Sequence, residues 1–344
     1  MKTLLVLVLA LCAVVGAHAE TQTFLAYDFE FEDGPVLPEL QVAYETRGRL
    51  DSGRDNAILL LHGTSGDRHA FDPLIGPGKT FDTNKYFVIT VDAIGGGGSS
   101  SPKDGLGQDF PRYTIRDMMA AQYALVSRGL ELATLRAVGG SGMGSFISLE
   151  WGIHHPEMVR SLVLLVPSPK AGPNFQLAVD LMTAAIALDP GWAGGRYAHN
   201  PVEGLRLAGM VHYPWVVSSA YLDRLPPSRL ARELEESARS FASWDANSLV
   251  LRYAASRAHD VAAPFAGDMT KALSQVAAPV LILPSASDRL FGLDAARRIR
   301  DGVKHATYAE IPTDLGHRAG HAAPDTPEGE FIDHQIRAFL AKVE

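Results

Sequence analysis

Apolar positions along this chain follow two rhythms. Thr23 to Glu32 and Gln41 to Arg47 alternate apolar and polar residues, the pattern of half-exposed antiparallel strands, and Asp33-Gly34-Pro35 breaks them apart. Ala57 to Leu61 (AILLL) and Tyr86 to Val91 (YFVITV) are unbroken apolar runs, which suit strands buried on both faces of a parallel sheet. Helical spacing takes over at Ile115, Met118, Met119, Gln122 and Leu125, with Thr114 as N-cap, Asp117 in the first turn and Gly129 as the stop. A strand at Leu135 to Val138, a helix over Met143 to His154 closed by Pro156, and a strand at Ser161 to Val166 follow. This alternation predicts an α/β fold built on a doubly wound, mostly parallel sheet.

After Pro167 the strand pattern stops. Segments near Gln176 to Leu188, Val202 to Val211, Pro227 to Phe241 and Ser248 to Ser256 read as helices, punctuated by Pro190, Pro201, Pro214, Pro226 and Pro227. Sheet-type sequence resumes at Pro279 to Leu283, followed by a helix over Asp294 to Val303, a strand at Thr307 to Ile311 and a closing helix from Glu328 to Lys342. The expected division is a first core part over 20–166, an inserted helical cap over 167–275 and a second core part over 276–344. A cap in that place shapes the pocket of the core.

Residues 1–19 stand apart as an export signal: Lys2, the uncharged apolar run Leu4 to Val15, and Ala17-His18-Ala19 as a cleavage pattern before Glu20. The chain is therefore expected to be exported, periplasmic or secreted. No other stretch reaches the roughly 18 apolar residues of a membrane span. Losing this segment removes Cys12, the only cysteine, and with it any thiol nucleophile or disulfide. Lys2 is the one charged side chain lost, so the net charge moves from −8 to about −9. An acidic chain without a basic run argues against nucleic acid and anionic membranes as partners and leaves a small-molecule ligand.

Four candidate sites fall at the C-terminal ends of expected strands, where open α/β sheets place their sites. They are Leu61-His62-Gly63-Thr64, the glycine-rich turn Gly139 to Gly144, Ser287-Asp288-Arg289, and Gly316-His317-Arg318. A strand turning sharply into a helix needs small residues two before and two after its tip. Gly140 and Gly144 flank Gly142 in that register, which leaves the tip without a nucleophile. Ser141 at the tip would instead place Met143 where helix and strand approach closely, and it remains the alternative nucleophile. His317 is the candidate general base, Asp288 its carboxylate partner, and the N–H groups of Thr64 and Met143 the candidate oxyanion donors. Neither a cofactor nor a metal is required.

The stretches LLLHGTSGDRHAF, DFPRYTIRDMMAAQ, GGSGMGSFISLEWGIHHPE, PSASDRLF and LGHRAGH resemble the homoserine O-acetyltransferase-like branch of the α/β-hydrolase superfamily, from about Gln41 onward. That resemblance implies the α/β-hydrolase fold and acyl chemistry. Matched without a gap to the family's Gly-x-Ser-Met-Gly and Leu-Glu-Trp, its serine falls on Gly142, its methionine on Met143 and its Leu-Glu-Trp on Leu149-Glu150-Trp151; its acid falls on Asp288 and its histidine on His317. Three activities stay open at this point: an acyl-ester or amide hydrolase, an inactive ligand-binding relative, and, more weakly, an O-acyltransferase. The family's Asn-x-Leu-Gly-x-Cys type of stretch is replaced here by Asp92 to Ser99, which argues against the transferase.

Other features read as structural. Gly76-Pro77-Gly78-Lys79-Thr80 ends like a phosphate loop but has Pro73 in place of the first glycine and no strand before it. His154 and His155 suit the C-terminal end of a helix dipole. His321, four after His317, is a candidate for the pocket wall.

Overall fold

A computed structural model of the protein describes residues 20–343; the expected export signal lies outside the described residues. Ten strands form: β1 (Gln22–Glu30), β2 (Val36–Arg47), β3 (Ala57–Leu61), β4 (Ile75–Gly76), β5 (Phe81–Asp82), β6 (Phe87–Val91), β7 (Ala137–Ser141), β8 (Leu162–Leu165), β9 (Val280–Leu283) and β10 (Ala306–Tyr308). Eight make one sheet in the order β1-β2-β6-β3-β7-β8-β9-β10, and β4 and β5 pair separately. The β1–β2 and β2–β6 pairs are antiparallel, and the pairs from β6 to β10 are parallel.

The unbroken apolar runs are explained by two cores. In β3, Leu59 and Leu61 join a cluster with Met118, Phe146, Trp151 and Ile299 on one face, while Ile58 and Leu60 join Phe71, Phe81, Ile336 and Phe339 on the other. Successive side chains point to opposite faces, so a strand covered on both sides must be apolar at every position. The first face is covered by α1 (Ile115–Ala124), α2 (Met143–His154) and the later helix α9 (Leu293–Gly302); α10 (Pro327–Leu340) packs on the second. Thr114 and Asp117 cap α1 reciprocally, Asp117 N donating to Thr114 Oγ1 at 3.1 Å and Thr114 N to Asp117 Oδ2 at 2.7 Å.

Between β8 and β9 run α3 (Pro173–Ala187), α4 (Val202–Val216), α5 (Ser219–Arg224), α6 (Pro227–Ala242), α7 (Ala246–Ala258) and the short α8 (Met269–Leu273). They have their own core around Phe175, Met182, Leu205, Phe241 and Tyr253. Pro214 does not end α4 as its sequence suggests; it sits in the last turn, where the lost N–H bond costs little continuity. No helix among the described residues is long and apolar enough to cross a membrane.

One difference from the sequence pattern decides the site. The strand expected to end at Val138 runs on to Ser141, because Gly139, Gly140 and Ser141 stay paired with Val163, Leu164 and Leu165. A side chain at Gly140 would strike the backbone of Gly144, and one at Gly144 would strike the Leu61 carbonyl. The two glycines therefore let α2 start directly against β3 and β7, with Gly142 at the tip.

Candidate active site

Gly142 turns the chain between β7 and α2 with φ 57° and ψ −113°, a left-handed conformation that glycine adopts without strain. Its N–H donates to Leu165 O at 3.1 Å, and its carbonyl accepts from Ser145 N at 3.0 Å. A Cβ added here would stand 3.1 Å from His317 Nε2. The space above residue 142 is thus faced by an imidazole nitrogen and contains no side-chain oxygen from residue 142.

His317 sits in a short 3₁₀ turn after β10, Gly316–His321, and Asp288 in the turn after β9. His317 Nδ1 lies 2.8 Å from Asp288 Oδ2. The other carboxylate oxygen accepts from the N–H of Leu290 at 2.8 Å and of Phe291 at 3.3 Å. Those donors leave Oδ2 to receive the Nδ1 proton, so Nε2 is left as the acceptor facing Gly142. The Phe291 ring meets the imidazole edge to face, centroids 4.7 Å apart, and restricts its orientation.

Thr64 and Met143 line the same pocket. Met143 opens α2, where an N–H has no partner within the helix, and the Thr64 N–H has no backbone acceptor among the described residues. The Gly63 carbonyl, in the same peptide plane as the Thr64 N–H, accepts from His62 Nδ1 at 2.7 Å and from Gly66 N at 3.0 Å. Ala93 N donates to His62 Nε2 at 3.0 Å, so the proton of this buried imidazole belongs on Nδ1. Burial and the charge of Arg252 push the His62 pKa down to about 4, which keeps the ring neutral in this role.

The alternative nucleophile is placed elsewhere. Ser141 is fully buried as the last residue of β7, and its hydroxyl is 3.2 Å from His321 Nε2, with no hydrogen bond to His317. Gly320 packs so closely on the hydroxyl that a side chain there would strike it. The strand pairing that carries Gly142 to the tip turns the preceding side chain beneath the pocket floor. This geometry does not offer Ser141 to a substrate.

The pocket, about 160 Å³, is walled by Phe175, Val216, Tyr253, Leu290 and Phe291, and by the polar groups His212, His317, Arg318 and His321. Its cap side, with His212 and Tyr253, carries no motif in the sequence. Arg318 could have been found as the neighbour of His317. The Arg318 guanidinium donates to Glu233 Oε2 at 2.8 Å, and Glu233 also accepts from Tyr213, Tyr221 and Arg229. Although burial opposes ionisation of Glu233, these donors hold its pKa down to about 2. His321 opens onto the pocket, yet protein crowds its ring; that desolvation, with a smaller coulombic contribution from the nearby His317, lowers its pKa to about 4.

His154 and His155 are structural. His154 Nε2 is 3.1 Å from a fully buried Glu150 oxygen, and His155 stacks on Tyr123 with centroids 4.0 Å apart. Among the described residues no three His, Cys, Asp or Glu side chains are grouped to hold a metal. The Gly76 to Thr80 segment links the short strands β4 and β5.

Burial of imidazoles carries a pH prediction. Burial pushes His62 and His259 down to about 4 from the ordinary 6.5. Between those values the unfolded chain takes up protons that the folded chain refuses, so their contribution is complete above pH 6.5 and is lost as pH falls toward 4. Thermal melts from pH 7 to 5.5, above the range where Glu233 titrates in either state, should show a falling Tm. The fall should be shallower in His259→Gln, and a Tm flat over that window contradicts the assignment.

A family model for the alpha/beta hydrolase fold matches residues 56–317. The chain is 31% identical to a homoserine O-acetyltransferase of Geobacter sulfurreducens, over 96% of this chain and 99% of that protein. Its fold matches a crystal structure of homoserine O-acetyltransferase from Bacillus anthracis with a TM-score of 0.84 and 28% identity, over 95% and 99% of the two chains. It also matches the acetyl esterase MekB with a TM-score of 0.89 over 94% and 98%, at an identity of 24% that speaks for the fold alone. The eight-stranded sheet, the sharp turn at Gly142 and these likenesses together place the chain in the α/β-hydrolase family, in its homoserine acetyltransferase-like branch.

Proposed function

We propose that the chain binds an acyl ester over Gly142 and hydrolyses it slowly through water, with His317 as general base and no covalent acyl-enzyme. The observation that carries this reading is His317 Nε2, 3.1 Å from where a Cβ of residue 142 would stand, with its Nδ1 held by Asp288. A base aimed at a space without a side chain acts on what enters that space. Water attacks the acyl carbon as His317 Nε2 takes its proton. The N–H groups of Thr64 and Met143 hold the resulting oxyanion, and the intermediate collapses with the proton returned to the leaving alkoxide, giving carboxylic acid and alcohol. The export pattern of residues 1–19 belongs to the same reading: outside the cytoplasm acyl-CoA is not supplied, so preformed esters are the donors.

A second reading, acyl transfer to a hydroxylated acceptor, is favoured by the transferases among the relatives. The acceptor hydroxyl would then replace water before His317.

A fluorophosphonate and a p-nitrophenyl ester test the proposal. The unmodified chain should show no adduct by intact mass, and slow ester hydrolysis that His317→Ala brings to the buffer rate. An adduct on Ser141, or hydrolysis indifferent to His317, overturns it. An ester product outpacing the acid when an alcohol is added decides for transfer.

A further inference from the structure

Arg252, on the cap helix α7, is fully buried and hydrogen-bonds to no carboxylate. Its Nη1 donates to the Thr64 carbonyl at 3.3 Å and to the Gly66 carbonyl at 3.0 Å, and its Nη2 donates to the Ala93 carbonyl at 3.0 Å. The guanidinium lies over the Trp244 ring, 4.8 Å from its centroid. A buried cation is costly unless something in the structure needs it, and this one is spent on main-chain oxygens of two loops. By contrast the nearby Arg68 is matched by Glu45 and Asp92.

The bonds close a ring. Ala93 gives its N–H to His62 and its carbonyl to Arg252; His62 holds the Gly63 carbonyl, and Arg252 holds the Thr64 carbonyl of the next peptide. The two peptide planes on either side of the Thr64 Cα are thus fixed from outside the pocket. Nothing else among the described side chains hydrogen-bonds to the Thr64 carbonyl. A five-donor planar fork can hold several carbonyls at once in a way a lysine ammonium on a flexible stem cannot.

We infer that Arg252 is a positioning residue of the oxyanion site: from the cap, it holds the Gly63–Thr64–Ser65 backbone so that the Thr64 N–H faces the pocket. Its charge, within coulombic reach of Asp92 but hydrogen-bonded to no carboxylate, lies behind the same loop and favours negative charge in front of it. This rests on the acyl-ester reading of the site. It also makes the cap part of the chemistry rather than only a wall, since α7 supplies the clamp.

The test compares two monoanions of matched chain length on the full chain by calorimetry: a butyl methylphosphonate, whose tetrahedral oxygens mimic the intermediate, and the planar hexanoate. The unmodified chain should prefer the phosphonate. Arg252→Lys keeps the charge and loses the fork; it should weaken the phosphonate about tenfold or more, as loss of an oxyanion donor does, and leave hexanoate nearly unchanged. Millimolar guanidinium should restore the preference in Arg252→Ala, a response that general destabilisation does not give. If Arg252→Ala fails to fold, the Arg252→Lys ratio alone decides. Equal weakening of both anions, or an unchanged ratio, overturns the inference while the site reading stands. A lack of phosphonate preference in the unmodified chain overturns both.

Discussion

Gly142→Ser should turn this protein into a covalent esterase. The new hydroxymethyl group enters the space that His317 Nε2 already faces, at a Cβ distance of 3.1 Å, so the ring must yield by a few tenths of an ångström. His317 has room to do so, its side chain being 16% exposed. Removal of a triad serine from a well-studied hydrolase costs about 10⁶ in turnover and leaves about 10³ over water; the reverse change should raise p-nitrophenyl ester hydrolysis by on the order of 10³ or more. The residue also has to accept φ 57° and ψ −113°, which for a non-glycine residue costs on the order of 1–3 kcal/mol. A faster enzyme that melts earlier and carries a fluorophosphonate at residue 142 is the expected outcome. If the variant folds and remains as slow and unlabelled as the parent, His317, Thr64 and Met143 do not form an acyl-transfer site.

Asp288→Asn should then remove most of what Gly142→Ser adds. The Oδ1 atom of Asp288 accepts from two backbone N–H groups, so an asparagine must keep its carbonyl oxygen there. Its amide nitrogen is thereby turned toward His317 Nδ1, where Asp288 Oδ2 now stands at 2.8 Å. Donor faces donor unless the imidazole changes tautomer, and in the other tautomer Nε2 carries the proton and cannot accept one. The analogous change in a serine protease lowers kcat about 10⁴ with the geometry intact, and a loss of that order is expected in the Gly142→Ser background. The loss should ease at high pH less than it would for a merely weakened base, because the fault is in the tautomer. A change below tenfold shows that Asp288 does not orient the ring.

Relatives that transfer acyl groups and neighbours that hydrolyse acetyl esters share this fold, so the fold does not choose between them. On the proposed reading, what enters the space above Gly142 chooses between them.

Local pattern was enough for most of the architecture. Unbroken runs such as Ala57 to Leu61 announced strands covered on both faces, and Thr114 with Asp117 announced the start of α1, since burial on two sides and an N-terminal cap leave signatures within a few residues. The spacing of small residues around the elbow also pointed to position 142, because a close approach of helix and strand excludes side chains there. The candidate residues Thr64, Gly142, Met143 and His317 meet in one pocket with Asp288 behind His317.

The sequence by itself determined the alternation of strands and helices, the inserted helical segment and the glycine at the tip of the elbow, because each depends on near neighbours. Only the tertiary structure decided that Ser141 points beneath the floor toward His321. It alone brought His212 and Tyr253 from the cap into the pocket wall, and Arg252 onto the carbonyls of Thr64, Gly66 and Ala93. Those arrangements join residues from distant parts of the chain, and a bond between a buried guanidinium and main-chain oxygens leaves no mark on the residues that provide the oxygens.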